Sequence, residues 1–164
     1  MSGELENAVL AMMEFDAGDP RRIQHFLKVH AFARLIGLAE GLDGATQRTL
    51  ELAAVVHDIG IRPAEAKYGR CDGKLQEQEG PAPARTLLRG VGADDATAER
   101  AAFLVGHHHT LTGVDGPDWQ ILLEADFLVN CYEDGLPRSA AETALERLFR
   151  TGTGKRLLRL QYGI

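Results

Sequence analysis

The sequence predicts an all-α fold, a single domain of about six to eight helices, from three observations. Apolar residues recur at i, i+3 and i+4 along most of the chain, while strand-like alternation is rare. The 164 residues suffice for one domain with a buried core. Breakers punctuate the periodic stretches at helix-length intervals: "AGDP", "EGLDG", "GVGADD", "GVDGPD", "EDGLP" and "RTGTG".

The elements follow in order. A first helix is expected at roughly 3–15 and a second at roughly 20–40, where Asp19 before Pro20 marks a start. A third, at roughly 46–58, ends in "AAVVHDIG". The polar segment "GIRPAEAKYGRCDGKLQEQEG" (Gly60–Gly80) reads as a long loop, a lid carrying Arg62, Lys67, Arg70 and Lys74. Further helices are expected at roughly 79–90, 94–108, 118–133 and 138–150, with a short tail helix near 154–161. The core is expected at about 20–133, with the C-terminal helices at about 138–161 packed on it. No repeat or linker divides the chain.

Composition narrows the function. Net charge is −6, so there is no basic stripe for general nucleic-acid binding. The N-terminal stretch carries acids and no basic n-region, unlike a signal peptide. No run approaches the roughly 20 apolar residues of a spanning helix, so no membrane partner is expected. Cys71 and Cys131 form no CxxC pair and read as reduced thiols of a cytoplasmic protein.

The chemistry sits on buried faces. At about 100° per residue, His25 falls among Val29, Phe32 and Ile36 on an apolar stripe, while His30 lies roughly 140° round, near Arg34. His57 and Asp58 end a core helix. Asp126 shares a face with Trp119, Leu122, Leu123 and Val129, and Glu124 lies opposite. Buried polar groups are costly unless paired or bound. A divalent cation accounts for imidazoles and carboxylates meeting there, and mixed nitrogen and oxygen ligands suit Mn, Fe, Co, Ni or Zn. In "FLVGHHHT", His107 and His108 face the core better than His109 and read as ligands for a second metal or for substrate. Asp115, Glu133 and Asp134 read as turn and helix-end residues.

His25, then His57-Asp58, then Asp126 resembles the H…HD…D signature of the HD-domain metal-dependent phosphohydrolases. "HFLKV" is similar to that family's opening helix, "AAVVHDIG" to its central motif and "LLEADFLVN" to its final Asp helix. The resemblance implies an HD-domain helical bundle holding one or two divalent ions (Fe, Mn, Mg, Co, Ni or Zn). It implies a metal set of His25, His57, Asp58 and Asp126, with His57 and Asp58 as the catalytic pair. In two-metal relatives a His opens the next helix and an HH pair closes the one after. The corresponding residues here are Glu79, with Glu77 as the alternative, and His107-His108. Many relatives also carry Lys directly after HDIG, where this chain has Ile61. Arg62, Lys67 or Lys74 then stands in as the substrate-binding cation. The implied activity is hydrolysis of a small phosphoester, a nucleotide among the candidates. The alternatives are a di-iron oxygenase or a non-catalytic metal or nucleotide sensor.

Overall fold

The computed structural model describes residues 2–164, with side chains from Gly3 onward. Among these residues every regular element is helical. The helices are α1 Ser2–Phe15, α2 Pro20–Ala39, α3 Gly44–Val56, α4 Ile61–Tyr68, α5 Gly73–Glu79, α6 Pro81–Gly90, α7 Asp95–Val105, α8 Pro117–Glu133, α9 Arg138–Arg147 and α10 Gly152–Tyr162. The all-α class stands, and the expected count is corrected from six to eight up to ten among the described residues.

The difference lies in Gly60–Gly80. The segment expected to be a lid loop folds as α4 and α5. Its charges are spaced on the outer faces of two short helices, and the apolar residues Ile61, Ala64 and Leu75 are buried. Gly69 closes α4 with φ +68°, a left-handed turn that a side chain would oppose. Asp72 then caps α5 by accepting from Leu75 N at 3.2 Å.

Aspartate caps define the other starts. Asp19 accepts from Arg22 N at 3.0 Å with Pro20 in the first turn of α2. Asp43 caps α3 and Asp94 caps α7 in the same way.

Helices α2, α3 and α8 pack on one another and carry the core, with α7 and α6 behind α3. Phe26, Val29 and Ile36 of α2, Leu50, Leu52 and Val56 of α3, and Ile121, Leu122 and Leu128 of α8 are buried together. Two glycines bring the chain after α3 against the start of α6. A Cβ on Gly60 would lie 2.5 Å from Gln76 O and 2.8 Å from Gly80 Cα. The backbones cross where only hydrogen fits, which fixes the path of the chain two residues past Asp58.

Glu124 corrects a further expectation. It is fully buried rather than turned to the outer side of α8. It accepts from Thr151 Oγ1 at 2.6 Å, from Arg150 N at 2.7 Å and from Gln120 Nε2 at 2.8 Å. A carboxylate at the N-terminus of α10 satisfies orphan amides there and anchors the C-terminal helix to α8. No helix among the described residues is long and apolar enough to cross a membrane.

Candidate metal centre

Three packed helices supply the centre. His25 comes from the buried face of α2, His57 from the C-cap of α3 and Asp126 from the middle of α8. Asp58 follows His57 in the turn after α3, and His108 lies in the turn after α7. His57 and His108 are 0 % and 2 % exposed, so both imidazoles are cut off from water.

Hydrogen bonds fix the orientation of each ring. His25 Nδ1 lies 2.7 Å from Glu133 Oε1. His57 Nδ1 lies 2.7 Å from Ala54 O, and His108 Nδ1 lies 2.7 Å from Val105 O. A carbonyl can only accept, and burial notwithstanding, Lys28 and His25 hold Glu133 below the usual carboxylate range, so it too accepts. Each Nδ1 therefore carries a proton, and each ring turns its Nε2 inward, where a lone pair is available whenever the ring is neutral.

Those lone pairs converge. His25 Nε2 is 3.1 Å from His57 Nε2, 3.2 Å from Asp126 Oδ1 and 3.2 Å from Asp58 Oδ2. His57 Nε2 is 3.3 Å from Asp126 Oδ1, and His108 Nε2 is 3.0 Å from Asp58 Oδ1. Acceptors facing acceptors repel unless a cation lies between them. Ligand atoms about 2.1 Å from one ion lie roughly 3.0–3.4 Å apart in octahedral to tetrahedral arrangements, which is the spacing observed. The donor set fits a divalent metal.

Two groups of ligand atoms could hold an ion. The first is His25, His57 and Asp126; the second is Asp58, His108 and His109. Asp58 touches His25 as well as His108 and so stands between them. Asn130 donates to Asp126 Oδ1 at 2.9 Å and steadies that carboxylate.

Without metal, a proton takes part of the cation's role. Burial disfavours charge on His25, yet its contacts with Asp126 and Asp58 prevail and raise it to about 10. His108 is raised against its burial by Asp58. Asp58 is held well below the carboxylate range, where His57 and His108 outweigh burial, and Asp126 is lowered against its burial by His25 and His57.

The other residues expected at the site belong to neither ligand group. His107 joins neither group: its ring stacks on Phe103 at 4.0 Å, meets Trp119 edge-on at 5.2 Å and bonds Phe103 O through Nδ1. Aromatic packing claims the ring that helical spacing directed at the core. Glu79 also joins neither group, because Tyr68 Oη donates to it at 3.0 Å and Lys67 Nζ at 3.3 Å. Lys67 is thereby paired, and Lys74 is exposed on α5. Arg62 donates to Phe15 O at 2.6 Å. Glu77 holds the histidine turn, accepting from His109 N at 2.9 Å and Thr110 Oγ1 at 2.8 Å.

Sequence reasoning missed two residues. Glu133, read as a helix end, orients His25 and accepts from Lys28 Nζ at 2.6 Å. Its signal was the seven-residue spacing from Asp126, two turns along the same face of α8. His109 lies in the turn after α7, so its direction escapes helical spacing. Its ring rests over Gly73 and bonds Gln76 Oε1 at 2.6 Å through Nε2, and the residue belongs to the second group.

A family model described as "HD domain" matches residues 22–142, most of the chain, including both ligand groups together with Asn130 and Glu133. The chain belongs to the HD domain family. As an HD domain it falls in the superfamily of metal-dependent phosphohydrolases, consistent with two groups of His and Asp residues that could hold ions. Comparison with curated proteins and with solved structures gave no match.

Cavities open on two sides of the centre. One, of about 180 Å³, is lined by Arg21, Arg22, His25, Asp58, Asn130 and Glu133 among others. The other, of about 270 Å³, runs from His108, His109 and Asp126 to the apolar side chains of Leu111, Leu123, Phe127 and Leu148.

Proposed function

We propose that this HD domain is a metal-dependent hydrolase of small phosphoesters. The observation that carries the reading is the convergence of three inward Nε2 atoms on Asp58 and Asp126, beside a groove bordered by Arg21 and Arg22. His25, His57 and Asp126 would hold one ion, and Asp58, His108 and His109 a second. A bound divalent cation supplies Lewis acidity, activating water and polarising a phosphoryl oxygen.

The chain's own residues do the rest. Glu133, Ala54 O and Val105 O keep the three rings in the tautomer that faces inward. His57 is fully buried, with the Phe26 ring edge-on to it at 5.3 Å, so it meets no bulk water. Arg22, with its side chain one-fifth exposed, lies beside His25 and Asp58 and is placed to meet a phosphoryl oxygen. Of the expected cations, Arg62, Lys67 and Lys74, only Arg62 borders the cavity adjoining this groove, and Arg22, which pairs with Asp19 at 3.8 Å, is the substrate cation of this reading.

The test is turnover of 4-nitrophenyl phosphate by manganese-loaded protein. His57→Ala should lose metal and activity together. A fully active, metal-loaded His57→Ala protein would sink the reading, and oxygen uptake by iron-loaded protein in place of hydrolysis would favour oxygenase chemistry.

A further inference from the structure

A third cavity adjoins the groove lined by His25 and Asp58. It measures about 290 Å³ and is lined by Asp16, Ala17, Gly18, Asp19, Arg22, Ile61, Arg62 and Glu65. Asp19, Arg22 and Ile61 line both spaces, so the cavity continues the groove that begins at His25 and Asp58.

Asp16 is its unusual member. It is 4 % exposed, and its Oδ2 is buried with no hydrogen-bond partner among the described residues. Burial pushes its carboxyl up, and Arg22 and Arg62 oppose that only in part. A buried carboxyl oxygen without a partner costs free energy that folding does not recover. Oδ2 itself has no accessible surface, but Asp16 borders the cavity through the small part of the residue that stays exposed, and a ligand donor there would give the carboxyl the partner it lacks.

The lining specifies the ligand. Among the described residues no aromatic side chain lines the cavity, so a nucleobase would find no ring to stack on there. The walls are mostly carboxylates, guanidinium groups and backbone. The apolar groove across the centre brings no Lys or Arg to a phosphate, whereas Arg22 stands between the centre and the Asp16 cavity.

We propose that the Asp16 cavity holds the organic part of the substrate, that Asp16 bonds a hydroxyl group on it, and that the substrate is the phosphate ester of a small sugar or polyol. A hydroxyl serves either charge state of Asp16, because it both donates and accepts. The proposal rests on the hydrolase reading above and adds its specificity.

Manganese-loaded wild type and Asp16→Ala should be compared on glucose 6-phosphate, glycerol 3-phosphate, AMP and 4-nitrophenyl phosphate. Wild type should prefer the two polyol esters to AMP. In Asp16→Ala, the ratio of kcat/KM for glucose 6-phosphate to that for 4-nitrophenyl phosphate should fall by about 10–100-fold. Removing an unpartnered buried carboxyl should leave Tm unchanged or raised, which separates this loss from misfolding. An unchanged ratio, or preference for AMP or 4-nitrophenyl phosphate, would overturn the subsite while leaving hydrolysis standing. If nothing is turned over, equilibrium binding of glucose 6-phosphate decides: Asp16-dependent binding keeps the subsite without the hydrolase reading, and no binding overturns both.

Discussion

His25 and His57, from different helices, bring their Nε2 atoms within 3.1 Å of each other, and in each ring Nδ1 is bonded to an acceptor. With both imidazoles neutral, the two Nε2 atoms would face each other lone pair to lone pair. The arrangement is stable only with a positive charge between the rings and the carboxylates of Asp58 and Asp126.

Glu133 should therefore matter to metal affinity without touching the metal. Glu133→Gln keeps the shape but weakens the hold on the His25 Nδ1 proton. Affinity for manganese, measured by titration calorimetry, should fall about 10–100-fold. An unchanged affinity would remove Glu133 from the account.

The metal-free protein should lose stability in alkali. His25 is raised from its ordinary 6.5 to about 10 in the folded chain. The folded state thus keeps a proton that the unfolded chain releases, so the stabilisation is full below about pH 6.5 and is lost as pH rises through about 10. Chelated protein should show a falling Tm over this window, with a shallower slope in His25→Gln. Metal loading should run the other way and strengthen with pH, because the ion must displace the proton. Parallel Tm profiles for the two proteins would contradict this.

His107 and His109 should behave oppositely. His109→Ala should weaken binding at the second group and lower the ions bound per chain. His107→Ala should leave metal content unchanged and cost stability through lost stacking on Phe103 and Trp119, about 0.5–1.5 kcal/mol beyond area burial. Metal analysis and denaturant unfolding of both variants check the pair.

This contrast marks how far the sequence could be read. His25, His57 and Asp126 were legible because each sits on or at the end of a long apolar helix whose period fixes its direction. His107, His108 and His109 follow the last residue of α7, so helical spacing no longer governs them. There Trp119 Nε1 sets the turn by donating to His107 O at 3.1 Å and Thr110 O at 3.2 Å. Glu79 followed from a family pattern, but Tyr68 and Lys67 claim it, and those residues lie on a helix that polarity disguised as a loop.

Gly60→Ala should destabilise the protein by about 1–3 kcal/mol, as expected of overpacking. The added methyl would meet backbone at Gln76 and Gly80, which cannot rotate away as a side chain would. Chemical denaturation measures the change, and a loss below about 0.5 kcal/mol, the range of ordinary surface substitutions, would show that the crossing relaxes freely.

The most direct test is metal content per chain, by elemental analysis of protein purified without chelator or affinity-tag nickel. The account predicts two divalent ions per chain, held by His25, His57 and Asp126 and by Asp58, His108 and His109. No bound metal, even after incubation with manganese or iron, would contradict it.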